Sequence, residues 1–213
     1  MNAHAPLIPR PTEVLHDDPL VQIYDDFLDA REAGHLLAAA QPQLKRAEVS
    51  AAEGGVLSDG RSGSNCWIAH GHDAVTQALA RRVAALVGLP LCNAESFQVV
   101  HYAETQEYRP HYDAWDADTD RGKRCMARGG QRLITCLMYL NDVPAGGGTN
   151  FPKLGLEVEA RKGRMVMFHN VHAGTNLRHE HSLHGGMPVL EGEKWAVNLW
   201  FRERDYYASP ASI

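Results

Sequence analysis

Arg109-Pro-His-Tyr-Asp113 reads as an extended stretch in which His111 and Asp113, two positions apart, project from one face. A His-x-Asp pair placed this way presets two ligands for a metal. A distant His completes the two-His-one-carboxylate set that holds non-heme Fe(II) and leaves positions open for a co-substrate and O2. His184 is the candidate; it opens a second informative stretch, His184-Gly-Gly-Met-Pro-Val-Leu-Glu-Gly-Glu-Lys-Trp195. A three-residue match recurs by chance in many chains, so the weight rests on its company: Lys194 beyond His184, and a Gly-rich turn between the two halves.

Lys194 begins an otherwise apolar strand. Alternation sets Lys194, Ala196, Asn198 and Trp200 on one face and Trp195, Val197, Leu199 and Phe201 on the other. A Lys inside a barrel is costly unless an anion meets it, and a dicarboxylate co-substrate provides one. The alternative is a strand-end Lys reaching out to water. In the run Leu133-Ile-Thr-Cys-Leu-Met-Tyr-Leu140, Thr135, Leu137 and Tyr139 share a face, so a hydroxyl and a phenol can join Lys194 around the same carboxylate.

Around these stretches the chain reads as strands. Leu20–Tyr24, Ser96–Tyr102, Leu133–Leu140, Leu156–Glu159, Gly163–Phe168 and Lys194–Arg202 are rich in branched and aromatic residues, and Asn141–Gly148 is a turn. Two helices precede most of them. Asp29 caps one over Ala30–Ala40 that stops at Pro42, and Asp73 caps another with an apolar stripe at Val75, Leu79, Val83, Leu86 and Val87, closed by Gly88 and Pro90. Pro6, Pro9, Pro11 and Pro19 make residues 1–19 an extended lead-in, and Gly54, Gly55, Gly60 and Gly63 mark a loop-rich region around Asp59-Gly-Arg-Ser62. The stretch from Ala114 to Gly130, with Trp115 and alternating acidic and basic residues, is either a loop closing over substrate or a solvated insertion. The fold class expected is mainly β with flanking helices: a jelly-roll (double-stranded β-helix) core braced by the N-terminal helices. One domain spans 1–213, with lead-in and helical support over 1–94 and the catalytic core over 95–204.

Composition narrows the function. The 213 residues are 44% apolar and 22% charged, ordinary for a globular protein, and the net charge of −5 offers no basic footprint for nucleic acid. The N-terminus lacks a charged segment followed by an apolar run, and no window approaches the ~18 apolar residues that span a bilayer. No membrane partner and a cytoplasmic location are therefore expected. Cys66, Cys92, Cys125 and Cys136 are scattered without metal or disulfide spacing and should be reduced. His169, His172, His179 and His181 compete with His184 for the third ligand position.

From about Glu95 to Arg204 the chain resembles the catalytic domain of the prolyl 4-hydroxylases of the collagen type, which are Fe(II)- and 2-oxoglutarate-dependent dioxygenases. The matching blocks are Gln98-Val-Val-His-Tyr102, His111-Tyr-Asp113, Gly130-Gln-Arg-Leu-Ile-Thr-Cys-Leu-Met-Tyr-Leu-Asn141, Ala145-Gly-Gly-Gly-Thr-Asn-Phe-Pro152, His184-Gly-Gly-Met-Pro-Val189, Gly192-Glu-Lys-Trp195 and Trp200-Phe-Arg-Glu203, in order and with fitting gaps. The resemblance implies His111, Asp113 and His184 as iron ligands, and the continuation after His184 singles it out among its neighbours. It implies Lys194 as the anchor for the distal carboxylate of 2-oxoglutarate, with Tyr102, Thr135, Tyr139 and Asn198 as further co-substrate contacts. Arg61, Tyr108, Trp115 and Trp200 are candidates to face the substrate, and Trp67 is another aromatic platform. Lys rather than Arg at 194 leans toward the collagen type, since a point charge and a fork are not interchangeable. Met187 and Asn150 depart from the family pattern and affect the pocket wall alone.

The implied reaction hydroxylates a peptidyl proline, with 2-oxoglutarate and O2 as co-substrates, release of succinate and CO2, and ascorbate as reductant. The carboxylate of Asp113 favours hydroxylation over halogenation. The partner implied is a proline-containing peptide or protein, with a homodimer open. Two alternatives stand beside this: the same chemistry on a free amino acid or other non-prolyl substrate, and a non-catalytic metal-binding jelly roll acting as a sensor. An intact ligand set next to an anion anchor speaks against the second.

Overall fold

The computed structural model describes residues 8–47, 49–51, 54–56 and 60–207, with side chains for 8–47 and 60–207. Pro6 of the lead-in and Asp59 of the loop-rich region lie outside the described residues. In chain order the elements begin with β1 (Glu13–Asp17), β2 (Leu20–Tyr24), α1 (Ala30–Ala40), β3 (Lys45–Arg46), β4 (Val49–Ala51), β5 (Gly54–Val56), β6 (Ser64–Ile68) and α2 (Ala74–Val87). There follow β7 (Phe97–Tyr102), β8 (Tyr108–His111), α3 (Asp120–Met126), β9 (Arg132–Tyr139), β10 (Ala145–Gly146), β11 (Thr149–Phe151) and β12 (Leu156–Val158). The last are β13 (Met165–His169), β14 (His184–Gly186), β15 (Val189–Glu191) and β16 (Lys194–Arg202).

Two antiparallel sheets face one another as a jelly roll. The larger runs β1-β2-β13-β9-β16-β7-β6-β3 and the smaller β12-β11-β14-β8, with β10-β15 and β4-β5 as separate pairs. The alternation expected for the last long strand is what separates the layers. Trp195, Val197, Leu199 and Phe201 of β16 join Cys136 and Met138 of β9 in a core that also holds Leu36 of α1 and Leu79 and Val83 of α2. Ala196, Leu137 and Tyr139 face the other way, onto Phe151 and Val158 of the smaller sheet. Burying each large side chain contributes roughly 1.5–3 kcal/mol, so β16, sandwiched on both faces, draws stability from both layers.

Both helices start where their caps direct. Asp29 accepts from Glu32 N while Glu32 returns a bond to the Asp29 backbone, and Asp73 pairs with Thr76 in the same reciprocal way. Gly88 ends α2 at φ +70°, a conformation glycine adopts without side-chain strain. Gly146 has φ +73°, and a Cβ there would lie 2.2 Å from the Pro188 carbonyl, so only glycine lets β10 meet β15 inside the expected turn.

Several elements differ from expectation. The expected strand over Leu20–Tyr24 forms as β2, but the sheet also takes in β1 from the lead-in at that edge, beyond β13, and β6 and β3 at the other, beyond β7. In β6 Cys66 and Ile68 are buried and Trp67 is exposed, a short alternation that the flanking glycines disguise. The stretch from 114 to 130 contains α3, started by Thr119 Oγ1 accepting from Gly122 N at 3.0 Å. Among the described residues no helix is long and apolar enough to cross a membrane.

Candidate active site

The antiparallel register of β14 on β8 sets His184 directly opposite His111. Asp113 follows just beyond the end of β8 and completes the cluster, so one donor atom from each of the three lies within 4.8 Å of the others. Asp113 Oδ1 is 3.8 Å from His111 Nε2, and its Oδ2 is 3.6 Å from His184 Nε2. Both imidazoles are turned by their other nitrogen: His111 Nδ1 is 3.0 Å from the Arg109 carbonyl and His184 Nδ1 is 3.0 Å from the Ser182 carbonyl. A carbonyl can only accept, so each Nδ1 carries the proton and each Nε2 presents its lone pair to the centre.

The charges of the cluster suit a cation. Burial, with His184 beside it, lowers the His111 pKa to about 3, so the ring is neutral at physiological pH. Burial alone would raise Asp113; the imidazoles of His184 and His111, the Arg132 guanidinium and the Trp200 indole bond reverse this and hold it at about 2. Two imidazoles and one carboxylate, all aimed at one point, fit the donor set that Fe(II) takes while keeping open positions. Asp113 Oδ2 also accepts from Thr135 Oγ1 and from Trp200 Nε1, each at 2.7 Å, and Asn170 Nδ2 donates to Thr135 Oγ1 at 2.8 Å.

The cluster opens into a cavity of about 230 Å³ whose wall also includes Lys194, Tyr102, Thr149 and Asn198. Lys194 is almost fully buried, and among the described residues its Nζ finds only the Gly148 carbonyl, at 3.4 Å, and the faces of the Tyr139 and Tyr102 rings, at 5.3 and 5.8 Å. Among the described residues no carboxylate lies within ion-pair distance of it. Burial lowers its pKa to about 7, the signature of a cation set in place before its anion arrives.

On the cavity's other side Arg132 forms a two-pronged pair with Glu95, at 2.6 and 2.9 Å, stands 3.7 Å from Asp113 Oδ1 and lies 3.7 Å over the Trp200 ring. Sequence reasoning did not single out Arg132. The signal was available, since Arg132, like Lys194, is a charged residue at the head of an apolar strand.

The model of the 2OG-Fe(II) oxygenase superfamily matches residues 97–202. Prolyl 4-hydroxylase 5 of Arabidopsis thaliana is 34% identical over 218 residues, covering 92% of this chain and 73% of the relative. The chain belongs to the prolyl 4-hydroxylase family of 2OG-Fe(II) oxygenases. Prolyl 4-hydroxylase subunit alpha-3 of Rattus norvegicus is 35% identical, although this chain spans only 36% of it. Among solved structures, the viral collagen prolyl hydroxylase of Paramecium Bursaria Chlorella virus-1, in complex with 2OG, superposes with a TM-score of 0.67 and 28% identity over 85% of this chain and 95% of the viral one.

Within this family member the expected site residues fall into two groups. His111, Asp113, His184, Lys194, Tyr102, Asn198, Arg61, Tyr108, Trp115 and Trp200 all line one cavity. Thr135 and Tyr139 do not. Thr135 is spent on Asp113, and the Tyr139 hydroxyl lies 2.7 Å from Thr149 Oγ1, so Thr149 occupies the wall in front of it. Trp200 reaches the cavity, but its N–H is committed to Asp113. Arg61 donates to Gln98 Oε1 at 3.1 Å and lies 4.8 Å over Tyr108, whose ring stacks on His111 at 3.6 Å. His172 and His179 gather elsewhere with Glu180. The 114–130 stretch is a wall: Trp115, Arg121 and Cys125 line the cavity, and Arg202 ties the stretch down by bonding the Cys125, Arg128 and Gly130 carbonyls.

Proposed function

We propose that this chain is an Fe(II)- and 2-oxoglutarate-dependent dioxygenase that hydroxylates proline within a peptide or protein. The observation that carries the reading is the sharing of one cavity by the His111-Asp113-His184 cluster and a buried, anion-free Lys194. A sensor would have no use for the second feature, which costs stability until a carboxylate is bound.

His111 Nε2, His184 Nε2 and an oxygen of Asp113 would hold the iron. Lys194 Nζ would pair with the distal carboxylate of 2-oxoglutarate, with Tyr102, Thr149 and Asn198 closing around it. When bound, the iron with 2-oxoglutarate and O2 supplies the oxidising power, as the keto acid is converted to succinate and CO2. The chain's own residues supply geometry. Thr135 and Trp200 fix the carboxylate of Asp113, and the carbonyls of Arg109 and Ser182 fix the two rings. Tyr108, Tyr112 and Trp115 offer aromatic faces at the cavity wall for a proline ring. Ascorbate as external reductant and a reducing, cytoplasmic setting complete the reading; the four unpaired cysteines are in keeping with that setting.

The test is succinate formation from 2-oxoglutarate by purified protein with Fe(II) and O2, with and without a proline-rich peptide. The expected result is peptide-stimulated succinate and a peptide heavier by one oxygen atom. Turnover stimulated only by free proline or another small molecule would retain the chemistry and overturn the peptide substrate, and no turnover with iron bound would overturn both.

A further inference from the structure

The histidines that compete with His184 in the sequence are not spare. Between β13 and β14 the chain makes a tight turn, closed by His172 N donating to Leu177 O at 3.0 Å and His179 N donating to Asn170 O at 2.9 Å. The turn brings the rings of His172 and His179 to 4.1 Å centroid separation, and Glu180 reaches across both. Glu180 Oε2 is 3.2 Å from His172 Nε2 and 4.0 Å from His179 Nδ1, and one donor atom from each of the three lies within 4.8 Å of the others. None of the three lines the active-site cavity.

His179 is prepared as a ligand. Its side chain is only 4% exposed, and Asp18 Oδ1 stands 3.5 Å from its Nε2. A carboxylate on that side keeps the proton on Nε2 and leaves Nδ1, 4.0 Å from Glu180 Oε2, unprotonated, the arrangement in which a carboxylate on the far side orients a metal-bound imidazole. Nδ1 presently accepts from His181 N at 3.1 Å, a bond that an incoming cation would replace. Capping of the turn accounts for that one bond but not for the approach of a single Glu180 oxygen to both imidazoles.

We infer that His172, His179 and Glu180 form a second metal site, separate from the iron cluster, for a divalent ion of the Zn(II) type, with Asp18 orienting His179. Two imidazoles and one carboxylate are a set that Zn(II) accepts with an open position for water. The segment it would clamp is the one that supports the active site. Asn170 donates to Thr135, the Ser182 carbonyl orients His184, and the Glu180 carbonyl accepts from Tyr112 at 3.0 Å.

The experiment titrates the metal-free chain with Zn(II) by calorimetry and counts bound metal after gel filtration. Because the iron cluster also takes Zn(II), the wild type is expected to bind about two ions per chain. His172→Ala and Glu180→Gln, both at an exposed turn, should each bind about one, and Asp18→Asn should weaken the second site roughly tenfold. A variant carrying Asp113→Ala and His184→Ala should retain one ion that His172→Ala then removes. A wild type that binds one ion, or a His172→Ala protein that still binds two, overturns the site. If the doubly substituted protein fails to fold, by circular dichroism, the wild-type comparison with His172→Ala decides alone.

Discussion

Trp200 donates its indole N–H to Asp113 Oδ2 at 2.7 Å, although the two residues are 87 positions apart. Thr135 donates to the same oxygen, so Oδ1 is the less encumbered atom for a metal. Trp200→Phe removes one of the two donors and keeps an aromatic face for Arg132. Its iron affinity should fall about 10- to 100-fold with the 2-oxoglutarate KM changed far less. Fe(II) activation curves against 2-oxoglutarate saturation curves measure this; a larger effect on the KM would make Trp200 a co-substrate contact instead.

Lys194 should trade stability for binding. Its buried charge has no anion in the unliganded chain, so Lys194→Met should stabilise the unliganded protein by roughly 1–3 kcal/mol while raising the 2-oxoglutarate requirement by at least about 100-fold. Chemical denaturation and co-substrate titration test the two halves separately. An unchanged requirement would remove Lys194 from the site.

The pH dependence follows with a definite sign. Lys194 titrates near 7 in the folded, unliganded protein, against 10.5 ordinarily. The folded state therefore binds fewer protons between these values, and this group's contribution makes the unliganded protein more stable as pH rises through that window. Binding a carboxylate needs the charged form. Affinity for 2-oxoglutarate should be greatest at or below about pH 7 and fall toward tenfold per pH unit above it, with uptake of a proton on binding at pH 8. Calorimetry in buffers of different ionisation enthalpy counts that proton, and zero uptake at pH 8 would contradict the assignment.

Arg202 holds the wall of the cavity. Its guanidinium donates to the carbonyls of Cys125, Arg128 and Gly130 at 2.8–2.9 Å and pairs with Glu95 at 3.2 Å. Arg202→Ala should cost about 3 kcal/mol, since three carbonyls, that of Gly130 buried, lose their donor and Glu95 loses one of two cations. Hydrogen exchange should accelerate over α3 more than over α2. Equal protection of α3 in the variant would show that Thr119 capping and local packing suffice.

What the sequence by itself determined is local. Apolar alternation in Lys194–Arg202 names the two faces of β16, the acid caps Asp29 and Asp73 name the helix starts, and the breakers Pro42 and Gly88 name their ends, because period, capping and backbone restriction act over a few residues. His111 and Asp113 were legible as a pair two positions apart and Lys194 as a charge at the head of an apolar strand, whereas His184 was singled out from its neighbouring histidines only by the family resemblance. The tertiary structure decided which groups meet. The register of β14 on β8, with His184 opposite His111, depends on hydrogen bonds between segments far apart in sequence, as does the pairing of Trp200 with Thr135 that brings both to Asp113. Neither the occupation of Thr135 by Asp113 nor the shielding of Tyr139 by Thr149 follows from which face of β9 they share, because a face admits many neighbours and long-range packing selects one.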